Sequence, residues 1–188
     1  MSISYQVILI DMTVNEVVTE NEDGSYTIFI NSRMNYEKQM NNGKKLTQAE
    51  ADRMLNMIKY SLVKNINFPS KGSSVEFDLV GESQKEIFTT KIYRGRINHL
   101  KYELGARIKK DGILLLELHI SPGKVHPNPD GTKIIGSHWH IYTEEYGRSF
   151  AFPAEDIASD NFVENTIIFL EKFNVVEKPT VNFQLELL

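Results

Sequence analysis

The sequence predicts an α+β protein with a mostly antiparallel meander sheet and two main α-helices. Apolar residues recur at helical spacing in two segments, 48–65 and 162–173. Between these segments lie several β-rich stretches separated by short polar turns such as Lys110-Asp111-Gly112. Parallel strands need long crossover connections, so short turns favour antiparallel neighbours.

The first part of the chain, residues 1–70, is expected to form an acidic lobe with strands and one helix. Strands are predicted at 3–10, 15–19 and 26–30, with the turn signal Asn-Glu-Asp-Gly at 21–24. The helix over 48–65 should begin at a capping box, because Thr47 precedes Glu50 by three positions.

Residues 71–188 are expected to form a second lobe, made of an antiparallel sheet and the helix over 162–173. Asn161, three positions before Glu164, is the candidate N-cap of that helix. The segment 121–136 is rich in Pro, Gly and Asn, which predicts a long loop. The predicted strands are 75–80, 87–97, 102–109, 113–120, 137–143 and 181–187.

Composition restricts the classes of site and location. The chain has no cysteine, so any zinc site would need His, Asp or Glu ligands. The apolar run at 7–10 is too short to span a membrane and follows no basic residues, which predicts a soluble, cytoplasmic protein without a membrane partner. The net charge of −4 argues against general nucleic-acid binding but does not exclude a local contact.

The most informative feature is a group of histidines between residues 119 and 140. Side chains alternate along a strand, so His138 and His140 should share one face, as should Glu117 and His119 on the preceding strand. If the two strands pair, His119 lies across from His138 or His140 at a Cβ separation of about 5 Å. That separation suits a zinc ion about 2 Å from each imidazole nitrogen.

His126, on the predicted loop, is the candidate fourth ligand, with Glu117 or Asp130 as alternatives. Four protein ligands would make a closed structural site, whereas three ligands and a water would make a catalytic one. A ligand carried by a long loop favours the structural role. The catalytic role would need a base, for which Glu144 or Glu145 are the candidates. Histidines on a half-buried sheet face can also simply form ordinary hydrogen bonds.

Charge is unevenly distributed along the chain. Residues 1–32 contain acids but no Lys or Arg, whereas residues 91–110 contain seven basic residues and one acid. The usual explanation of the basic segment is a solvated face, and the alternative is a patch for phosphates or an acidic protein surface. The candidate partner-binding residues are Arg94, Arg96, Arg107, Lys109, Glu20, Glu22 and Asp23.

Three motifs resemble those of one protein family. Residues 94–98 read Arg-Gly-Arg-Ile-Asn, residues 126–131 read His-Pro-Asn-Pro-Asp-Gly, and residues 138–142 read His-Trp-His-Ile-Tyr. These stretches resemble an uncharacterised family of small proteins from Firmicutes and their prophages, with an H-x-NPDG loop and an H-x-HIY strand. Ser137 stands where that family has Asn. The resemblance implies importance for the histidines of the last two motifs.

Two functions are predicted. The chain is similar in size and acidity to phage-encoded anti-CRISPR inhibitors, which implies a metal-stabilised binding protein that blocks a Cas9-type effector in the cytoplasm of a bacterial host. The alternative is a metal-dependent hydrolase or nuclease using His119, His138 and His140. The sequence places no clear base, nucleophile or acidic metal pair, which favours the non-enzymatic function without deciding it. An antitoxin-like partner of another small protein is a third possibility.

Overall fold

The chain divides into two compact units, residues 1–43 and 44–188, and the predicted lobes 1–70 and 71–188 stay a prediction. The computed structural model describes residues 17–20, 26–29, 45–98, 100–155 and 157–183. In the first unit, β1 (Val17–Glu20) pairs antiparallel with β2 (Tyr26–Phe29). These strands fall where strands were predicted. The predicted strand at 3–10 and the turn at 21–24 lie outside the described residues.

The second unit is built on an eight-stranded sheet, which confirms the α+β class. Its strands are β3 (Lys59–Ser61), β5 (Ser74–Val80), β6 (Ile87–Arg94), β7 (Tyr102–Ile108), β8 (Leu114–Ile120), β11 (His138–Ile141), β12 (Ala151–Pro153) and β13 (Val175–Glu177). Their spatial order is β12-β11-β8-β7-β6-β5-β3-β13, and among these described strands only the edge pair β13–β3 is parallel.

Two short strand pairs and two helices complete this unit. The pairs are β4 (Asn65–Asn67) with β14 (Thr180–Asn182), and β9 (Val125–Pro127) with β10 (Lys133–Ile135). The helices are α1 (Gln48–Asn56) and α2 (Phe162–Lys172). The segment predicted as a long loop therefore contains a hairpin, β9–β10. Across the described residues, no helix is long and apolar enough to cross a membrane.

The core lies between one face of the sheet and α2. Trp139 stacks on Phe169 with ring centroids 6.2 Å apart, and Phe88 meets Phe173 edge-on at 5.5 Å. Because side chains alternate along β11, the burial of Trp139 in this core directs His138 and His140 to the opposite face of the sheet.

Helix α1 begins as predicted and ends earlier than predicted. The Thr47 Oγ1 accepts a hydrogen bond from the Glu50 amide, and the Thr47 amide donates to the Glu50 carboxylate. The helix stops because Met57 is extended, with φ −62° and ψ 149°. The following residues form β3 between β5 and β13, so the predicted second half of this helix is wrong. Tertiary strand pairing has overridden local helical periodicity.

Helix α2 ends within one residue of the prediction, but its predicted side-chain cap is wrong. Asn161 makes no capping hydrogen bond to the helix backbone and instead donates its side-chain amide to the Glu164 carboxylate. At the end of the chain, β14 covers the start of the strand predicted at 181–187, and residues 184–188 lie outside the described residues.

A fully buried lysine joins the ends of the two helices. The Lys59 ammonium donates to the carbonyls of Leu55 in the last turn of α1, of Met57 just after α1 and of Phe173 just after α2, at 2.9 to 3.1 Å. It also lies 4.1 Å from the centroid of the Phe173 ring. A cation at helix C-termini satisfies carbonyls that the helices leave without partners. Burial lowers the pKa of Lys59 to about 7, against the opposing effect of Glu82.

Lys59→Met removes this titrating group while keeping an unbranched apolar side chain. The folded-state pKa of about 7 lies below the ordinary value of 10.5, so between these pH values the unfolded chain holds one proton more than the folded chain. The free energy of unfolding of the wild type should therefore rise with pH relative to Lys59→Met, by at most about 1.4 kcal/mol per pH unit. Urea unfolding between about pH 6 and about pH 10 measures this difference.

The exposed Lys64 provides the control for this experiment, because Lys64→Met should follow the wild type at every pH. Parallel stability curves for Lys59→Met and the wild type would contradict the prediction.

Candidate metal centre

The pairing of β8 with β11 assembles three histidines on the outer face of the sheet. His119 lies directly across from His138, and Glu117 lies across from His140. One nitrogen from each of the three imidazoles lies within 4.8 Å of the other two. The sequence left His138 and His140 open as the cross-strand partner of His119, and the register shows that the partner is His138. His119, His138 and His140 are called the histidine triad below.

The hairpin β9–β10 brings His126 against this triad. Its ring centroid lies 4.8 Å from that of His138 and 4.9 Å from that of His140. Across the hairpin His126 pairs with Ile134, which is buried. The structure thus gathers all four sequence-predicted histidines in one place, with three as a compact triad and the fourth as its cover.

Two nitrogens of the triad are buried without a hydrogen-bond partner among the described residues. His138 Nδ1 lies 2.9 Å from the Gly136 carbonyl, which can only accept, so Nδ1 carries the proton and Nε2 carries the lone pair. Neither that Nε2 nor Nδ1 of His140 has a hydrogen-bond partner in the segments that the structure describes. Polar atoms are rarely buried in this state unless water or an ion satisfies them. The two atoms are therefore suited to bind a cation.

Burial favours the form of these histidines that binds metals. Burial, reinforced by the neighbouring His119, lowers the pKa of His140 to about 4, with Glu117 opposing the shift. Burial likewise lowers the pKa of His138, although its hydrogen bond to Gly136 acts in the opposite direction. Both imidazoles are consequently neutral at neutral pH, and a neutral imidazole offers the lone pair that a metal ion needs.

A buried carboxylate lies beside the triad. Glu117 Oε1 is 3.7 Å from His119 Nε2, and the Arg148 guanidinium lies 3.2 Å from Glu117 Oε2. Burial alone would raise the pKa of Glu117, but His119 and Arg148 outweigh it and hold that pKa below the usual range. Glu117 is therefore an ionised group next to the cluster. The sequence indicated Glu117 as an alternative ligand but gave no sign of Arg148.

Asn128 attaches the hairpin to the edge strand β12, a role that sequence analysis missed. Its side-chain amide donates to the Ala151 carbonyl at 3.0 Å, and its side-chain carbonyl accepts from the Ala151 amide at 2.8 Å. The side chain thus imitates a paired strand residue and holds the hairpin beside the strand that neighbours β11. Its place in the H-x-NPDG motif was the available signal.

Three acids proposed as alternative ligands or bases have other roles. Asp130 is exposed and accepts hydrogen bonds from the amide and the hydroxyl of Thr132, which stabilise the hairpin turn. Glu144 accepts from the Gln48 amide at the start of α1. Glu145 is exposed and interacts with Tyr146. None of the three belongs to the triad, and their roles as a ligand or a base stay a prediction.

The predicted basic face is divided between the two sides of the sheet. Arg94 is 4% exposed and lies 4.8 Å from the Phe162 ring on the core side, because it alternates with the outward-facing Tyr93. The expectation that Arg94 is solvated is therefore wrong. Arg96 is exposed, beyond the end of β6.

The remaining candidate partner-binding charges are either paired or not described. Arg107 and Lys109 face outward, but they contact Glu76 at 3.2 Å and Asp78 at 2.5 Å, which are acids of β5. The acids of β5, which lies earlier in the chain, thus partly neutralise the positive charge of residues 91–110. Glu20 lies in β1 without a described side chain, and Glu22 and Asp23 lie outside the described residues.

The fold and the site define an α+β protein with a candidate histidine metal centre on the outer face of its sheet. A model described as a family of unknown function (DUF6978) matches residues 46–175, and the chain belongs to that family. The match runs from the start of α1 into β13 and includes the whole histidine cluster. No curated protein and no solved structure matches the chain.

Asn128→Ala should release the hairpin from β12. Two buried hydrogen bonds would be lost, at a cost of about 2 kcal/mol in the free energy of unfolding. Hydrogen exchange is the decisive measurement, because the Ala151 amide should exchange faster while amides of the central pair β7–β8 keep their protection.

Lys133→Gln, an exposed change on the same hairpin, is the matched control, and it should leave the exchange of the Ala151 amide unchanged. Unchanged Ala151 exchange in Asn128→Ala would show that the side chain does not hold the hairpin.

Proposed function

We propose that the chain is a metal-stabilised binding protein whose histidine triad and His126 hold one divalent cation, most simply zinc. The observation that carries the proposal is a pair of buried imidazole nitrogens, His138 Nε2 and His140 Nδ1, that have no hydrogen-bond partner within the described part of the chain. A cation bound there would satisfy both atoms and compensate for their burial.

The donor set favours zinc among the common cations. All candidate ligands are imidazole nitrogens, which suit zinc and other late transition metals better than magnesium or calcium. Zinc bonds of about 2.0 to 2.1 Å in a tetrahedron place the ligand nitrogens about 3.4 Å apart. The triad nitrogens already lie within 4.8 Å of one another, so small side-chain adjustments would complete the geometry.

The position of His126 supports a structural role for the cation. The strands β9 and β10 have three residues each, and an isolated hairpin of that length is unstable in water. A cation bound by His126 and the triad would crosslink the hairpin to the sheet. The hairpin also presents Val125 and Ile135, which are 49% and 74% exposed. Metal binding would thereby fix an apolar surface that is suited to contact a partner.

As the partner we propose a host defence nuclease of the Cas9 type, which the protein would block by binding it in the bacterial cytoplasm. The support is the resemblance to small prophage proteins and the acidic segment 1–32, which complements the positively charged nucleic-acid channels of such effectors. Co-purification with a Cas9-type effector, followed by a DNA cleavage assay, tests this. If no complex forms and DNA cleavage is not reduced, the inhibitor function is rejected.

A metal-dependent hydrolase is the second candidate, favoured by Glu117. An ionised carboxylate 3.7 Å from a candidate ligand nitrogen of His119 is placed where a general base for a bound water would be needed. Hydrolysis of model phosphodiesters by the zinc-loaded protein, abolished by Glu117→Gln with zinc retained, would establish this function in place of the first.

Zinc titration of chelator-treated protein is the direct test of the metal centre. We expect one zinc per chain for the wild type and none for the double variant His138→Gln, His140→Gln. His126→Gln should bind zinc more weakly, because it removes the ligand that the hairpin supplies. At free zinc about 100 times the Kd, the free energy of unfolding of the wild type should rise by about 2.7 kcal/mol.

Lys133→Gln, an exposed change on the same hairpin, should bind zinc as the wild type does. Failure of the wild type to bind zinc or another late transition metal would refute the metal centre, as would equal uptake by the double variant.

A further inference from the structure

A glycine interrupts the outer face of the sheet next to the metal centre. Along one row across the strands, His140 is followed by Glu117, then Gly105, then Lys91, then Glu76. Every other member of this row carries a long or bulky side chain. Gly105 therefore leaves a gap between the Glu117 carboxylate and the Lys91 ammonium.

Nothing in the local backbone requires glycine at this position. Gly105 lies in the middle of β7, a central strand, and has no left-handed φ. A Cβ placed there would meet Leu114 at 3.5 Å and Glu117 at 3.6 Å, both ordinary contacts with side chains. Glycine weakens the interior of a strand, and it often marks a place where a ligand approaches closely.

The gap opens into a cavity of about 260 Å³ on the outer face of the sheet. Leu114 and Tyr93 contribute apolar surface, and Lys91 and Arg107 form one wall. Two acids line the side towards the triad: Glu117, and Glu103, which lies between Tyr93 and His119 in the neighbouring row. A cavity of about 150 Å³ can hold benzene, so this cavity is large enough for a molecule with a small ring or a branched chain.

Positive charge is concentrated at the end of the cavity away from the histidines. Lys91 and Arg107 both contact the same carboxylate, that of Glu76, at 3.5 and 3.2 Å. Two cations share one acid there, so they can accept a second anionic group. The carboxylate of Glu117 is already paired with Arg148 and does not compete for them.

We propose that this cavity binds a small organic anion, a carboxylate or a phosphate ester with a compact apolar body. Its anionic group would be held by Lys91 and Arg107, and its body would occupy the space that Gly105 leaves beside Glu117. The site goes beyond the proposed metal centre, with which it shares Glu117 as a wall. It would make this face of the sheet sensitive to a metabolite-sized ligand.

The test uses benzoate and phenyl phosphate as probes, with benzamide as a neutral probe of nearly the same shape as benzoate. Each is titrated into isotopically labelled protein, with and without zinc, and chemical-shift changes are followed. We expect millimolar binding of at least one anion, with shifts centred on Lys91, Gly105 and Glu117, and binding of benzamide weaker by at least about tenfold. The tighter anion identifies the class.

Two variants and one control make this test specific. Gly105→Val fills the cavity and should abolish binding, while Lys91→Gln should weaken it several-fold. Lys110→Gln, an exposed lysine on the β7–β8 turn, should leave binding unchanged. If Gly105→Val does not fold, Gly105→Ala replaces it and is tested beside Lys91→Gln. The alanine Cβ makes only ordinary contacts, so this variant should fold.

The outcomes separate this site from the metal centre. Anion binding that the cavity variants weaken supports the site even if zinc does not bind. Three results would overturn it: no shifts at these residues, equal binding of benzamide, or binding that the Gly105 and Lys91 variants leave unchanged. Zinc uptake without anion binding would refute this site and leave the proposed function standing.

Discussion

The register between β8 and β11 is the constraint on which the rest of the candidate site depends. It pairs His119 with His138 and Glu117 with His140, while Trp139 pairs with Leu118 on the core side. Because strand side chains alternate, a slip of one residue would exchange these two sets between core and surface. The apolar packing of Trp139 against α2 therefore also keeps the histidines on the outer face.

The hairpin β9–β10 converts that outer face into a buried site. It brings His126 against the triad, and Asn128 attaches it to β12. Burial has a cost, since it removes water from imidazole nitrogens that then have no partner among the described residues. The same burial keeps His138 and His140 neutral. Neutral imidazoles whose buried nitrogens cost free energy while they lack a partner have the physical properties of cation ligands.

The sequence predicted the features that depend on local rules. The capping box at Thr47, the antiparallel meander and the shared face of His138 and His140 followed from spacing and strand alternation. The gathering of all four histidines was predicted only on the condition that β8 pairs with β11 and that the segment carrying His126 approaches them. The helix predicted over residues 57–65 was wrong because β3 pairs with β5 at one edge and with β13 at the other, which no local pattern reveals. The expectation that Arg94 is solvated was wrong because its side chain, although charged, lies on the core side against Phe162.

The sequence by itself thus determined which residues alternate to which face, since the periods of strands and helices are properties of the local backbone. Only the tertiary structure decided which residues become neighbours across strands: His138 as the partner of His119, Glu76 as the acid shared by Lys91 and Arg107, and the gap at Gly105 beside Glu117. Strand register is a non-local property set by the packing of the whole core, so these pairings appear only once the sheet is assembled.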